Sequence, residues 1–220
     1  MRSDKKCPMK KMTDKEITDR QGGAALILAL LTTGLLAALG VSLLFATDVE
    51  RQVAANASYG TDALAAAEAA VERGLVDLRT VNDWTPLLNG RATSAFAERS
   101  QQVSLPAGGT LDLTLVTADV QAESSAHGTF GANTPVWRLV AWGPLWRLAH
   151  AGTIDSLQYL AVWVADDPSE TDGNPQADSN GILEIRGEAR GPGGSRRVVE
   201  ATVTRVRPGV VRMLAWREVK

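Results

Sequence analysis

The chain has little of most residue types that carry chemistry. Its 220 residues include one cysteine, Cys7, so no intramolecular disulfide can form and a cysteine-rich metal site is excluded. Cys7-Pro8 is not a lipobox, because no apolar stretch precedes it. The two histidines, His127 and His150, are too few for a His-rich or Cys/His zinc site. There is no G-x-S-x-G elbow, no H-E-x-x-H, and no cysteine–histidine pair beyond the first residues, so the sequence reads as a non-enzyme. Neither sign of charge is in excess: 23 Lys plus Arg face 25 Asp plus Glu, a net −2. That balance removes the usual electrostatic case for a nucleic-acid partner. With 45% hydrophobic and 22% charged residues, the composition excludes a disordered chain.

What is present is unevenly placed. Residues 1–23 are polar and carry +3, from Arg2, Lys5, Lys6, Lys10, Lys11, Lys15 and Arg20 against Asp4, Asp14, Glu16 and Asp19, which leaves −5 on the rest. Residues 24–46 carry no charge. As a helix rising ~1.5 Å per residue this run is about 34 Å long, enough to cross a bilayer core of about 30 Å. The basic flank precedes it, and Asp48 and Glu50 follow. The positive-inside rule therefore keeps the N-terminus in the cytoplasm and exports the rest. The run exceeds a secretory h-region. Ala55-Asn56-Ala57, the small-x-small triplet, lies too far beyond it, so a retained anchor is expected. Residues 47–79 are alanine-rich, with Val49, Val53, Leu64, Val71, Leu75 and Leu78 spaced mostly by three, four or seven. One helix is expected from about 24 to about 79, membrane-embedded first and amphipathic second, with Gly60 as its weak point. An ordinary anchor followed by the first helix of a domain has the same periodicity.

Residues 20–31, RQGGAALILALL, resemble the class III signal of type IV pilins, with Gly23 at the cut and Ala24, Ala25, Leu26 and Ile27 beginning the apolar helix. The run that follows resembles the PilX branch of minor pilins: a polar stretch with Asn56, then an A-x-x-A-A-E-A-A-like motif from Ala63 to Ala70, centred on Glu68. The resemblance is specific over residues 20–79. It implies that a prepilin peptidase cuts after Gly23, that Ala24 becomes the N-methylated first residue, and that Cys7 leaves with the leader. Major pilins place a glutamate at the fifth position after the cut, where its carboxylate pairs with a neighbour's terminal ammonium. Here that position is Leu28. The departure fits a minor pilin at the filament tip or in the initiating complex, where no such acceptor is required.

After Leu78 the helical pattern ends. Residues 81–109 read as a loop joining helix to sheet, with a short helix at 92–102. Strand patterns follow at 110–120, 135–143, 156–166, 181–190 and 195–207, the last two joined across Gly191–Gly194 by a turn longer than two residues. The expected fold is α+β and pilin-like, a long N-terminal helix packed on a small antiparallel sheet. Its parts are a leader (1–23), a transmembrane half-helix (24–46), an amphipathic half-helix (47–79) and a periplasmic or extracellular head (80–220).

Three sets of residues invite a functional reading. Residues 166–180 concentrate five carboxylates and two asparagines between two strands, and Asp166, Asp167, Asp172, Asn174, Asp178 and Asn180 offer hard oxygen ligands that suit calcium. EF-hand spacing is absent, and a solvated turn-rich loop explains the same composition. Tryptophans 84, 137, 142, 146, 163 and 216 could anchor a partner or fill the sheet core. Arg186, Arg190, Arg196, Arg197, Arg205, Arg207, Arg212 and Arg217 could contact phosphates, but Glu184, Glu188, Glu200 and Glu218 interleave with them as cross-strand pairs. The resemblance implies a pilus-assembly protein of the inner membrane and then of the pilus, with other pilins and minor pilins, the prepilin peptidase and a tip adhesin as partners. Open alternatives are a type II secretion pseudopilin and a membrane-anchored ligand-binding protein or enzyme.

Overall fold

The computed structural model describes residues 14–127, 133–148 and 155–219. The leader expected at 1–23 lies outside these residues as far as position 13, and so does His150. The chain divides into two compact units between Ala54 and Ala55.

Helix α1 runs from Asp14 to Thr80, passing Gly60 without a break. In the first unit its uncharged stretch is exposed throughout, with Leu26, Leu30, Leu36 and Leu43 each about 60–70% accessible. From Gly23 onward the helix is long and apolar enough to cross a membrane. In the second unit one stripe turns inward: Ala63, Ala66, Ala67, Ala70, Val71, Leu75 and Leu78 are all within 2% of full burial. Steps of three and four keep these side chains on one face. Glu68 and Glu72 lie on the solvent side.

The stripe packs on a five-stranded antiparallel meander in sequential order: β3 (Arg138–Pro144), β4 (Tyr159–Asp166), β5 (Ile182–Arg190), β6 (Arg196–Arg207) and β7 (Val210–Val219). Ahead of it come a one-turn helix α2 (Thr85–Leu88) and a two-stranded hairpin, β1 (Gln102–Ser104) with β2 (Thr110–Asp112). Leu160, Val162 and Val164 of β4, Leu183 and Ile185 of β5, and Val199 and Val203 of β6 form the core against α1. The approach is close because β5 carries Gly187. A Cβ there would stand 2.7 Å from the Ala67 carbonyl oxygen and 2.8 Å from Val71 Cγ2.

The strand expected at 110–120 is a correction. Only Thr110–Asp112 is extended, and Leu113–His127 is helix α3. Asp112 Oδ1 accepts the backbone N–H groups of Thr114 (2.9 Å) and Leu115 (3.3 Å), satisfying donors at the helix start. The buried residues are then Leu113, Val116 and Val120, at helical spacing, while Leu115 is 65% exposed. The alternation of Leu111, Leu113 and Leu115 crosses a helix boundary. Helix α3 and the β1–β2 hairpin cover the opposite sheet face in a second core with Trp137, Trp142, Tyr159, Ala161 and Trp163. Both faces are thus covered, which is why all eight residues of β4 are buried. The short helix expected at 92–102 does not form. Residues 92–101 are turns and bends, tied to the sheet by Ser94 N–H to Val140 O and Glu98 N–H to Trp142 O. Strand β7 falls where no strand was expected, after a two-residue turn at Pro208-Gly209 with Gly209 at φ +76°.

A candidate cation site at the end of strand β4

Strand β4 ends at Asp166 and β5 begins at Ile182. The connection between them is built from side-chain-to-backbone turns, the local bonding that Asp and Asn favour. Asp167 Oδ1 accepts the N–H of Ser169 (2.8 Å), and Asp172 Oδ1 that of Asn174 (3.0 Å). Asn174 Oδ1 accepts the N–H of Gln176 (3.3 Å), and Asn180 Oδ1 that of Ile182 (2.7 Å). Asn180 Nδ2 donates to Asp167 Oδ2 (2.6 Å). The sequence-expected ligands Asp167, Asp172, Asn174 and Asn180 are therefore occupied in shaping the loop, and Asp172 and Asn174 face solvent.

The other two, Asp166 and Asp178, converge with Glu170. Each of the three offers a carboxylate oxygen, and these oxygens all lie within 4.8 Å of one another. Asp166 is fully buried and Glu170 is 5% exposed. Glu170 Oε1 accepts the N–H groups of Ser179 (2.9 Å) and Asn180 (2.8 Å), which aims the side chain back under its own loop. Asp178 Oδ1 accepts the Gly181 N–H at 2.7 Å, and Gly181 turns the chain into β5 with φ +76°. From outside the loop comes Asn133, fully buried, which donates through Nδ2 to Asp166 Oδ2 (2.7 Å) and to the Asp167 carbonyl (3.1 Å).

Three oxygens here have no hydrogen-bond donor: Asp166 Oδ1, Glu170 Oε2 and Asn133 Oδ1. Buried acceptors are normally paired. Burial pushes the Asp166 carboxyl up to about 7; the Asn133 hydrogen bond opposes this, and the charges of Glu170 and Asp178 add to it. Burial also raises Asp178, against the Gly181 N–H and the Arg205 charge. The sequence pattern pointed to this loop but not to Asn133, which lies 33 residues before Asp166. Glu170 stands inside the acidic run, yet only the fold separates it from its neighbours.

The remaining candidate sets resolve into structure. Trp84, Trp137, Trp142 and Trp163 are buried, while Trp146 and Trp216 are about half exposed. Trp84 donates to the Leu78 carbonyl (3.0 Å) and stacks under Arg205, whose guanidinium carbon is 3.8 Å from the ring centre. Arg186, 3% exposed, bridges Glu123 of α3 (2.6 Å) and Glu200 of β6 (2.7 Å). Buried Glu188 holds Arg190 (2.6 Å) and Arg196 (2.8 Å), and Arg217 binds Glu200. Gly23 and Ala24 both lie inside α1 with exposed positions. No protein-family model, no curated protein and no solved structure matches this chain.

Proposed function

We propose that this chain is a minor pilin of the type IV pilus, acting in assembly initiation or at the filament tip. The observation that carries the reading is the division of labour along α1. Its uncharged segment leaves a continuous apolar surface exposed, and its alanine-rich segment is buried on an antiparallel sheet. A helix that is apolar all round has no use in water and needs lipid or other helices. The residues at 20–31 and 63–70 that resemble the pilin signal and the PilX-type motif lie in these two segments.

On this reading the peptidase cuts after Gly23, and Ala24 becomes the methylated N-terminus. Residues 24–46 hold the subunit in the inner membrane and then pack against other pilins. Leu28 brings no carboxylate into that apolar core, so the subunit cannot neutralise a neighbour's buried ammonium. Burying an unpaired charge costs several kcal/mol, which favours a position where no subunit needs that acceptor over repeated use along the filament. The head domain then meets other minor pilins or a tip adhesin. Mass spectrometry of the protein from membranes tests the reading: an N-terminal methyl-Ala24 is expected. An intact Met1, or cleavage near Ala57, would overturn it.

A further inference from the structure

The three converging carboxylates lie beside a fully buried amide, and the oxygens left without donors belong to groups at least nine-tenths enclosed. Each of these groups has its other polar atoms in use. Asp166 Oδ2 and the Asp167 carbonyl take both Asn133 bonds, and Glu170 Oε1 takes two backbone N–H groups. The bonded halves fix the rotamers, and the unbonded halves have no protein partner. Surface acids without a ligand point to water and share it. Enclosed acids that are held in place and lack a donor need a positive charge or a proton.

We propose that Asp166, Glu170 and Asp178, with the amide oxygen of Asn133 beside them, bind one calcium ion. The donor set is all oxygen, with no imidazole or thiolate, which selects a hard cation over zinc or copper. The oxygens lie within 4.8 Å of one another, close enough to share an ion bound at about 2.3–2.6 Å; calcium accepts such irregular carboxylate sets, whereas magnesium, at about 2.0–2.1 Å, demands octahedral geometry and keeps most of its water. The carboxylates come from a strand end and the connection that follows it, and Asn133 joins them to the segment before β3 through its bonds to Asp166 and the Asp167 carbonyl. The ion therefore ties the β4–β5 connection to the sheet and to that segment. The site stands whether or not the chain is a pilin.

The test is equilibrium dialysis of the full chain in detergent at pH 8 against calcium chloride alone, followed by thermal melts read by tryptophan emission. One calcium per chain is expected, with a melting temperature about 5–10 °C higher at calcium a hundredfold above Kd. Glu170→Gln keeps an oxygen for the Ser179 and Asn180 N–H groups, so the loop retains its shape while binding falls at least tenfold. Asp166→Asn should behave alike. Asp172→Asn, at an exposed loop position, should bind as the parent does. Magnesium should bind at least tenfold more weakly. The proposal is overturned by no saturable binding up to 10 mM in the folded parent, by undiminished binding in folded Glu170→Gln, by an equal loss in Asp172→Asn, or by magnesium matching calcium.

Discussion

Three glycines at the contact between α1 and the sheet order themselves by what a methyl group would touch. At Gly60 the added Cβ meets the end of the Arg197 side chain, with Nη2 at 3.1 Å. A long flexible side chain can move away. Replacing a mid-helix glycine with alanine gains about 1 kcal/mol, so Gly60→Ala should stabilise by up to about that much. At Gly74 the Cβ meets methyl groups, Val162 Cγ1 at 3.1 Å and Ile185 Cγ2 at 3.2 Å. The same helix gain is then offset by overpacking of about 1–3 kcal/mol, giving a net loss of up to about 2 kcal/mol. At Gly187 the Cβ meets the Val71 Cγ2 at 2.8 Å and two backbone atoms, the Ala67 carbonyl oxygen at 2.7 Å and the Val71 nitrogen at 3.0 Å. The two backbone atoms cannot rotate away, so α1 itself must lift. Gly187→Ala should cost the top of the overpacking range, about 3 kcal/mol, less about 0.5–1 kcal/mol regained from the glycine's own entropy. The assay is urea unfolding of the full chain in detergent, followed by tryptophan emission, because Trp84 and Trp163 are fully buried. Far-ultraviolet circular dichroism would be dominated by the 67 residues of α1. The order Gly60→Ala, Gly74→Ala, Gly187→Ala, from most to least stable, is the content of the prediction. A Gly187→Ala protein within about 0.5 kcal/mol of the parent would refute the close contact of Gly187 with α1.

Arg186→Met should cost about 1–3 kcal/mol, because Glu200 Oε1 loses its buried donor while Arg217 still holds Oε2; a urea titration that does not move would contradict the bridge. Glu184 is pushed up to about 7, first by burial and then by the Glu200 charge, against Arg217. The folded state therefore holds a proton that the unfolded state releases near 4.5. Its contribution to stability is full below that pH and is lost as pH rises through about 7. Melting temperatures of the parent and Glu184→Gln, both at saturating calcium, should diverge over this window, with the variant the more stable at pH 8. Trp84→Phe removes the hydrogen bond to the Leu78 carbonyl and weakens the Arg205 stack, and should lower stability by about 1–2 kcal/mol. Thermal melts that do not separate the two proteins would remove that contact from the account. Deletion of the chain should abolish piliation and leave type II secretion intact if the filament reading holds, and the reverse outcome assigns it to secretion.

What was legible in the sequence was periodic and local. The run at 24–46 and the alanine stripe from Ala63 to Leu78 read directly as α1, because each residue's environment repeats along one axis. Strands β4, β5 and β6 were visible as β-branched and aromatic runs between turn residues. Helix α3 was not, because Leu111, Leu113 and Leu115 alternate around Asp112, whose role as a cap depends on which residues follow it into the helix. Strand β7 was hidden by an irregular register, which skips a residue between Ala215 and Met213 opposite Thr202 and Val203. The bulge breaks the alternation that marks a strand. The acidic loop was legible as a composition but not as a site. Asx turns and metal ligation draw on the same residues, and only burial distinguishes an Asp172 bonded to its own loop from an Asp166 with an oxygen left over.

The charges on β5 and β6 form the expected cross-strand pairs, but their setting differs from the expected one. Alternating Arg and Glu suggest a solvated face, since water is the least costly environment for charge. The register puts Glu184, Arg186 and Glu188 on the face away from α1, opposite Leu183, Ile185 and Gly187. That face would be solvated if the sheet had only one covering layer, as the sequence suggested. Helix α3 occupies it, and Glu123 reaches Arg186 from that layer. One of these ion pairs, Arg186 with Glu123, thus joins α3 to the sheet, and its directional geometry fixes where α3 lies across the strands. The apolar contacts of Leu113, Val116 and Val120 supply attraction but tolerate sliding. The bridge through Arg186 does not, since a shift of α3 along the strands would break a 2.6 Å contact at a buried charge. Helix α3 should therefore keep its place when a single apolar contact such as Val116 is trimmed to alanine, and lose it when Arg186 is replaced by an apolar side chain of similar length.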